Sequence, residues 1–355
     1  MKQHTDNQRT LRLLFWESTI RCNLSCAHCR RVESDDTVES DMTTAQASQL
    51  IDQLAQMGHQ QNSMPILVFS GGEPLCRSDL FELIREAGSK GVKCALATNG
   101  TLIDQTMAEK IKAAPIERVS VSLDGATADI HNKLRKLVGS FEAAVKGAGY
   151  LRQYGVPFQI NMTVTRYNVH QMDDIFVLAK ELGAVAVHLF MLVPVGCGEE
   201  FAEEDMLSAD EYEQLLQQVT QKEFGGRLEV KVTCGPHYER VIREQKAGQR
   251  RTSKGCLAGS GVLFVSHSGD VFPCGYLPVH CGNILQTPLA EIWNNSIDLA
   301  RMRDTHQLKG KCGVCGYRAV CGGCRARAFA ATGDYMAAEP MCNYGPKQKH
   351  NDTNK

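Results

Sequence analysis

Long apolar runs are missing from this 355-residue chain. The longest, 185–195, is broken by His188 and falls well short of the ~20 residues a helix needs to cross a bilayer. An excess of charge of either sign is also lacking. The formal net charge is −1 and the pI about 6.8, so no global field draws the protein to nucleic acid or to a membrane surface. The opening segment, MKQHTDNQRT, is polar and has none of the apolar core of a secretory signal. These absences point to a cytoplasmic protein without nucleic-acid or membrane partners.

What the chain has in excess is cysteine, fifteen in all. In a small secreted domain that number would indicate disulfides. In a chain of this size, with the cysteines grouped in C-x2-C pairs, it favours metal sites in a reducing compartment. Hydrophobic residues make up 43%, enough for one large domain of ~200–250 residues and a smaller one.

Short apolar runs predict strands at 11–19, 66–70, 93–98, 118–123, 158–164 and 185–193. Between them apolar residues recur at helical spacing, as with Ala47, Leu50, Ile51, Leu54 and Met57. Ser78, Ser140 and the pair Ser208/Glu211 read as helix starts, and Gly58, Gly91, Gly155 and Gly183 as stops. Such alternation predicts parallel strands with helices outside, six units rather than a closed eight-fold barrel. From residue 227 the texture turns to Gly, Cys and short turns, and nine of the fifteen cysteines lie there. The expected divisions are a tail at 1–10, a first domain at 11–224, a second at 225–346 and a disordered polar tail at 347–355.

Three cysteines stand close together in Cys22-Asn-Leu-Ser-Cys26-Ala-His-Cys29, just after the first strand, where α/β proteins place their chemistry. Three thiolates from one loop can hold three irons of a [4Fe–4S] cube and leave the fourth open to a small molecule. Three unrelated cysteines, or half of a zinc site, are the alternatives. The second strand ends in Ser70-Gly71-Gly72-Glu73-Pro74. Paired glycines let backbone approach closely, and the carboxylate can accept from an ammonium group. Asn99, Ser122, Asp124, Asn161 and Thr163 sit at other strand ends and read as ligand contacts, although Asn99 and Asp124 also suit ordinary turns. Downstream stand Cys256, Cys274, Cys312, Cys315, Cys321, Cys324 and Cys342. A zinc ribbon uses comparable C-x2-C pairs, but four cysteines satisfy one zinc and seven point to two sites. Cys76, Cys94 and Cys197 read as small buried hydrophobes.

The triplet and the GGEP segment together resemble the radical S-adenosylmethionine (SAM) superfamily. That resemblance implies an α/β fold, a partial (β/α)6 TIM-type barrel with a C-terminal cysteine-rich SPASM-type domain. It implies that SAM chelates the open iron at Cys22, Cys26 and Cys29, and that an electron splits its sulfonium to a 5′-deoxyadenosyl radical. The segment Gly71, Gly72, Glu73 would hold the SAM amino group, Ser122 and the strand-five residues Asn161 and Thr163 the ribose or carboxylate, and His28 would lie near adenine. In the downstream run the family's usual last spacing is x3, where Cys321-Gly-Gly-Cys324 has x2. The SPASM resemblance implies one or two auxiliary [4Fe–4S] clusters. Cys312, Cys315, Cys321 and Cys342 would form one. Cys256, Cys274 and Cys324 would hold the other, with an iron open unless Cys281 or Cys234 closes it.

Several stretches, among them His188-Leu-Phe-Met-Leu-Val-Pro and Phe264-Val-Ser-His-Ser-Gly-Asp, resemble the tetrapyrrole branch of the family. This branch holds enzymes of siroheme-dependent heme and heme d1 formation. The resemblance implies an iron-bound tetrapyrrole substrate and an external electron donor of flavodoxin or ferredoxin type. Within it, oxidative decarboxylation of two propionates of iron-coproporphyrin III is favoured over deacetylation of 12,18-didecarboxysiroheme. A peptide maturase would often carry a leader-binding domain ahead of the first strand, where this chain has about ten residues. Arg21, Arg30, Arg31, Arg135 and Lys136 are candidate partners for substrate carboxylates, and His188 and His237 for heme iron. No catalytic residue is singled out.

Overall fold

The computed structural model describes residues 10–31, 40–222, 228–245 and 254–345. The boundary expected at 224/225 and the tail at 347–355 lie outside those residues.

Six strands appear where the apolar runs place them: β1 (Leu13–Glu17), β2 (Ile66–Ser70), β3 (Lys93–Thr98), β4 (Ile116–Ser122), β5 (Phe158–Val164) and β6 (Ala186–Met191). They pair in parallel and in sequence order, with helices returning the chain between them. β2 is buried on both sides of the pleat at its centre, through Leu67, Val68 and Phe69, so its sequence reads as a solid apolar run, whereas β3 and β4 alternate buried with half-buried residues. Trp16 and Phe69 lie on adjacent strands with no exposed surface, their ring centroids 5.5 Å apart.

Helix Thr44–Gln60 begins at a capping box of Thr43 and Gln46, and Ala209–Gln221 at one of Ser208 and Glu211. Gly58 does not stop the first of these: it is buried inside the helix, where a Cβ would come within 2.4 Å of the Met64 sulfur. Gly183 does end helix Met172–Leu182, in the left-handed conformation at φ 85°. Ser78 is displaced as a cap by Asp79, and Ser140 by Gly139.

Four further strands extend the sheet: β7 (Glu229–Thr233), β8 (Val262–Val265), β9 (Asp270–Phe272) and β10 (Gly282–Asn283). The order is β10-β9-β8-β1-β2-β3-β4-β5-β6-β7. β7 joins β6 in parallel, and β8 joins β1 in parallel from the other side. All ten strands belong to one compact unit, made of 1–206, 223–234 and 257–303. A second unit gathers the described residues of 207–222, 235–256 and 304–345. A single cut at 225 therefore does not describe how the chain divides. Helix 209–221 goes with the later segments, and 257–303 goes with the barrel strands.

The second unit is organised around a buried ion pair. Arg327 Nε donates to Glu339 Oε1 at 3.0 Å, and Arg327 Nη2 to the Tyr212 hydroxyl at 3.1 Å. Glu339 also accepts from the backbone of Cys324 and Met341, while its own N–H donates to Cys312 Sγ at 3.4 Å. One residue thus fixes two cysteine-bearing segments, the Cys324 segment through its carboxylate and the Cys312 segment through its backbone N–H. Among the described residues no helix is long and apolar enough to cross a membrane.

Candidate active site

The cysteine loop leaves β1 at its carboxyl end. Ser18 N–H donates to Ser70 O at 2.8 Å, Gly72 N–H to Thr19 O at 2.8 Å and Glu73 N–H to Arg21 O at 2.8 Å. This contact explains the paired glycines. A Cβ at Gly71 would stand 2.5 Å from Thr19 O, and one at Gly72 2.4 Å from Arg21 O, both backbone atoms that cannot yield. The backbone they admit is that of the segment leading into Cys22. Ala27 N–H then ties the loop to Leu134 O at 2.9 Å, and Gly198 N–H to Cys29 O at 3.2 Å.

Cys22, Cys26 and Cys29 line an open recess of about 1000 Å³. Of the expected contacts, His28, Gly71, Gly72, Asn99, Ser122 and Thr163 share its wall, with Arg30, Arg31 and Arg135 beside them. Three expected contacts are placed elsewhere. Glu73 is wholly buried and its carboxylate is already engaged, by Thr98 Oγ1 at 2.7 Å, Asn99 N–H at 2.8 Å and Leu75 N–H at 3.2 Å. Asn161 Oδ1 accepts from Gln159 Nε2 at 2.8 Å. Asp124 lies under the recess, fully buried, 2.7 Å from Arg135 Nη2 and 3.2 Å from His28 Nε2, and it receives Thr163 N–H at 2.8 Å. Asn99 has a further task, since its Nδ2 donates to Asn23 Oδ1 at 2.8 Å inside the cysteine loop.

Charge sets the tone of this recess. Burial pushes the Cys22 thiol up to about 11 and the Cys26 thiol up as well. Arg135 opposes the shift at Cys26, with Nη1 3.7 Å from its Sγ. Burial alone would raise Asp124, but Arg135 and His28 together hold it below the usual carboxylate range. Glu17, at the end of β1, is likewise penalised by burial. Arg30 at 2.6 Å, His267 at 3.1 Å and Arg31 at 3.6 Å bring it down to about 2. Arg30 is therefore committed: it pairs with Glu17 and stacks on Phe264 at 4.3 Å. Arg21 leans on Asp41, and Lys136 closes helix Ala128–Arg135 in the left-handed conformation. His188 meets Gln159 Nε2 at 2.9 Å and is absent from the recess wall.

Glu73 gives a pH test. Burial raises it to about 7 against its three donors. A carboxyl whose folded value exceeds the ordinary 4.5 contributes stability that is fully present below 4.5 and is lost as pH rises through 7. The expected result is that Glu73→Gln gains on the parent as pH goes from 5 to 8. The gain should be ~1 kcal/mol or more, since a tenfold change in proton affinity is worth ~1.4 kcal/mol. Thermal midpoints of both proteins across that range check it. A pH-independent difference would remove the raised value.

The second unit has its own recess, lined by Cys312, Cys315, Cys321 and Cys342. Burial raises the thiols of Cys321 and Cys342, so filling the site must displace protons. Cys324 is buried and raised to about 11, and Cys256 lies in the same unit, whereas Cys274 belongs to the first. Among the described residues no three His, Cys, Asp or Glu side chains close on a point where one metal ion would sit. The thiols line recesses instead. All-thiolate donor sets of this kind suit iron–sulfur cubes, and among the described residues the first recess offers three cysteines and no fourth.

The Radical SAM superfamily model matches residues 16–179, and an iron-sulfur cluster-binding (SPASM) domain model matches 256–324. The chain is 46% identical over 349 residues to the AdoMet-dependent heme synthase of Methanosarcina barkeri, covering 95% of this chain and 98% of that protein. It belongs to the radical SAM superfamily. A second AdoMet-dependent heme synthase, from Nitratidesulfovibrio vulgaris, is 42% identical over 97% of this chain and 95% of its own length. The crystal structure of Streptococcus suis SuiB bound to S-adenosylmethionine shares the fold at a TM-score of 0.73 and 17% identity, over 97% of this chain and 78% of that one. As a radical SAM enzyme with a SPASM domain, the protein uses [4Fe–4S] clusters and SAM.

Sequence reasoning missed three features of the radical SAM recess. Tyr276 closes one side of it, and burial raises its phenol well above the usual range. Glu17 gathers two arginines, and His131 Nδ1 accepts from Asp124 N–H at 3.1 Å. Only the last carried a signal, because His131 and Arg135 stand four apart on one helix face.

Proposed function

We propose that this radical SAM enzyme acts in heme biosynthesis, converting iron-coproporphyrin III to heme b by oxidative decarboxylation of two propionates. The observation that carries the reading is the likeness to AdoMet-dependent heme synthases along nearly the whole chain, 46% and 42% identical. The recess geometry supports it.

Cys22, Cys26 and Cys29 would hold the SAM cluster, and Asn99, Ser122, Thr163 and His28 would meet SAM in the recess they share. The bound cluster and SAM supply a 5′-deoxyadenosyl radical able to take a hydrogen atom from an unactivated carbon. The residues around them supply position and charge. Arg135 is paired with Asp124 and Arg30 with Glu17, so Arg31, 3.6 Å from Glu17, is the wall arginine best placed to meet a substrate carboxylate. Phe190, Met191 and Leu192 give the other wall an apolar face for a macrocycle. Removal of one hydrogen atom from the propionate β-carbon, then of CO2 and one electron, leaves a vinyl group. That electron needs an acceptor, a role for the auxiliary clusters. Cys312, Cys315, Cys321 and Cys342 would hold one of them. A flavodoxin or ferredoxin would reduce the enzyme, in the cytoplasm.

The test is anaerobic incubation of the reconstituted protein with SAM, a strong reductant and iron-coproporphyrin III, followed by mass spectrometry. The expected product shows two successive losses of the elements of formic acid, with one 5′-deoxyadenosine per vinyl formed. Loss of acetate from 12,18-didecarboxysiroheme would move the assignment to the deacetylase. SAM cleavage with neither tetrapyrrole changed would remove the tetrapyrrole reading.

A further inference from the structure

His237 opens helix His237–Gln245 and is 1% exposed. Among the described residues, neither of its ring nitrogens has a hydrogen-bond partner. A buried polar group left in that state is costly, and each one in a folded protein calls for a cause. Its ring stands in the wall of the recess formed by Cys312, Cys315, Cys321 and Cys342.

The neighbours leave it nothing else. Arg240 is committed to Glu213 and Glu244, Lys311 to the Cys342 carbonyl, and Arg327 to Glu339 and Tyr212. Glu339 already receives Arg327 and the backbone of Cys324 and Met341. Tyr212 meets the imidazole through its ring, with centroids 5.0 Å apart at 89°. An imidazole carries at least one ring N–H to give. Four thiolates around an iron–sulfur cube present sulfur acceptors only.

We propose that His237 donates a hydrogen bond to a sulfur of the cluster held by Cys312, Cys315, Cys321 and Cys342, and so sets that cluster's reduction potential. The proposal rests on the ligand assignment made above. A donor to cluster sulfur favours the more negative, reduced state, so the contact raises the potential.

The experiment is an EPR-monitored redox titration of the anaerobically reconstituted full-length protein, its His237→Phe and His237→Gln variants, and Cys321→Ser. The SAM cluster is told apart by its response to added SAM. In His237→Phe the auxiliary couple should fall by about tenfold in its reduction equilibrium, about 59 mV for one electron. His237→Gln, which keeps a donor, should stay near the parent. Iron and sulfide content should be equal in the parent and both His237 variants. A parental potential in His237→Phe overturns the proposal. Should His237→Phe fail to hold the cluster, protein labelled with [15N]histidine decides in the Cys26→Ala background, which silences the neighbour His28. A weak nitrogen coupling to the reduced auxiliary cluster supports the contact, and its absence overturns it. An undiminished auxiliary signal in Cys321→Ser would instead overturn the ligand assignment, and the proposal with it.

Discussion

Cys26→Ala is expected to reduce cleavage of SAM to the level of buffer, a loss of at least ~10³-fold. That exceeds the ~10–100-fold typical of groups that merely orient a ligand. Cys26 is the middle thiol of the three on the recess, and among the described residues no other cysteine lines that wall to replace it. It also faces Arg135, so its removal deprives a buried guanidinium of a neighbour as well as an iron of a ligand. Iron and sulfide should fall by one cluster's worth, while signals from the auxiliary clusters persist. 5′-Deoxyadenosine formation under strong reduction is the readout. A variant that still makes it at the parental rate would show that the triplet does not carry the chemistry.

Asp124→Asn is expected to cost ~3–5 kcal/mol of stability, the usual consequence of leaving one member of a buried ion pair alone. Its partner Arg135 is only 8% exposed and 2.7 Å away, with His28 on the same oxygen. The pH dependence has a definite sign. Because Asp124 is held below its ordinary 3.8, its contribution is present at neutral pH and disappears only as the pH falls below that value. The parent's advantage should therefore be constant from pH 6 to 8 and shrink in acid. Combining Asp124→Asn with Arg135→Met removes both charges and should recover much of the loss. Denaturant midpoints of the three variants measure this. A single variant as stable as the parent would mean that the pair is not what holds the floor of the recess.

The contrast between these two residues shows what the sequence made visible. Cys26 declares itself through spacing, because three thiolates from one loop have few other uses. Asp124 stands in a Ser-Leu-Asp-Gly turn, and its residue type allows a turn, a ligand contact or an ion pair. Only the return of helix Ala128–Arg135 over it decides among them. The same holds for strands. β2, β3 and β5 begin and end where their apolar runs do, because both faces are covered. β7 reads Glu-Val-Lys-Val-Thr and β10 has two residues, Gly282–Asn283, so neither has an apolar run to betray it. Their place is fixed by an existing sheet edge, which is long-range information. His237 reads in the sequence as a candidate for heme iron, and its setting among four cysteines depends on the fold of the second unit.

β8 lies within the segment matched by the iron-sulfur domain family, yet it is hydrogen-bonded along β1, the strand that delivers the cysteine loop. A fragment ending near residue 225 would strip that neighbour away and leave β1 with a bare row of amides and carbonyls, the kind of edge that recruits foreign strands. Modular exchange between relatives thus has a natural seam that family boundaries do not show. Residues 257–303 must travel with the barrel, and a chimera that respects this keeps the floor on which its radical chemistry stands.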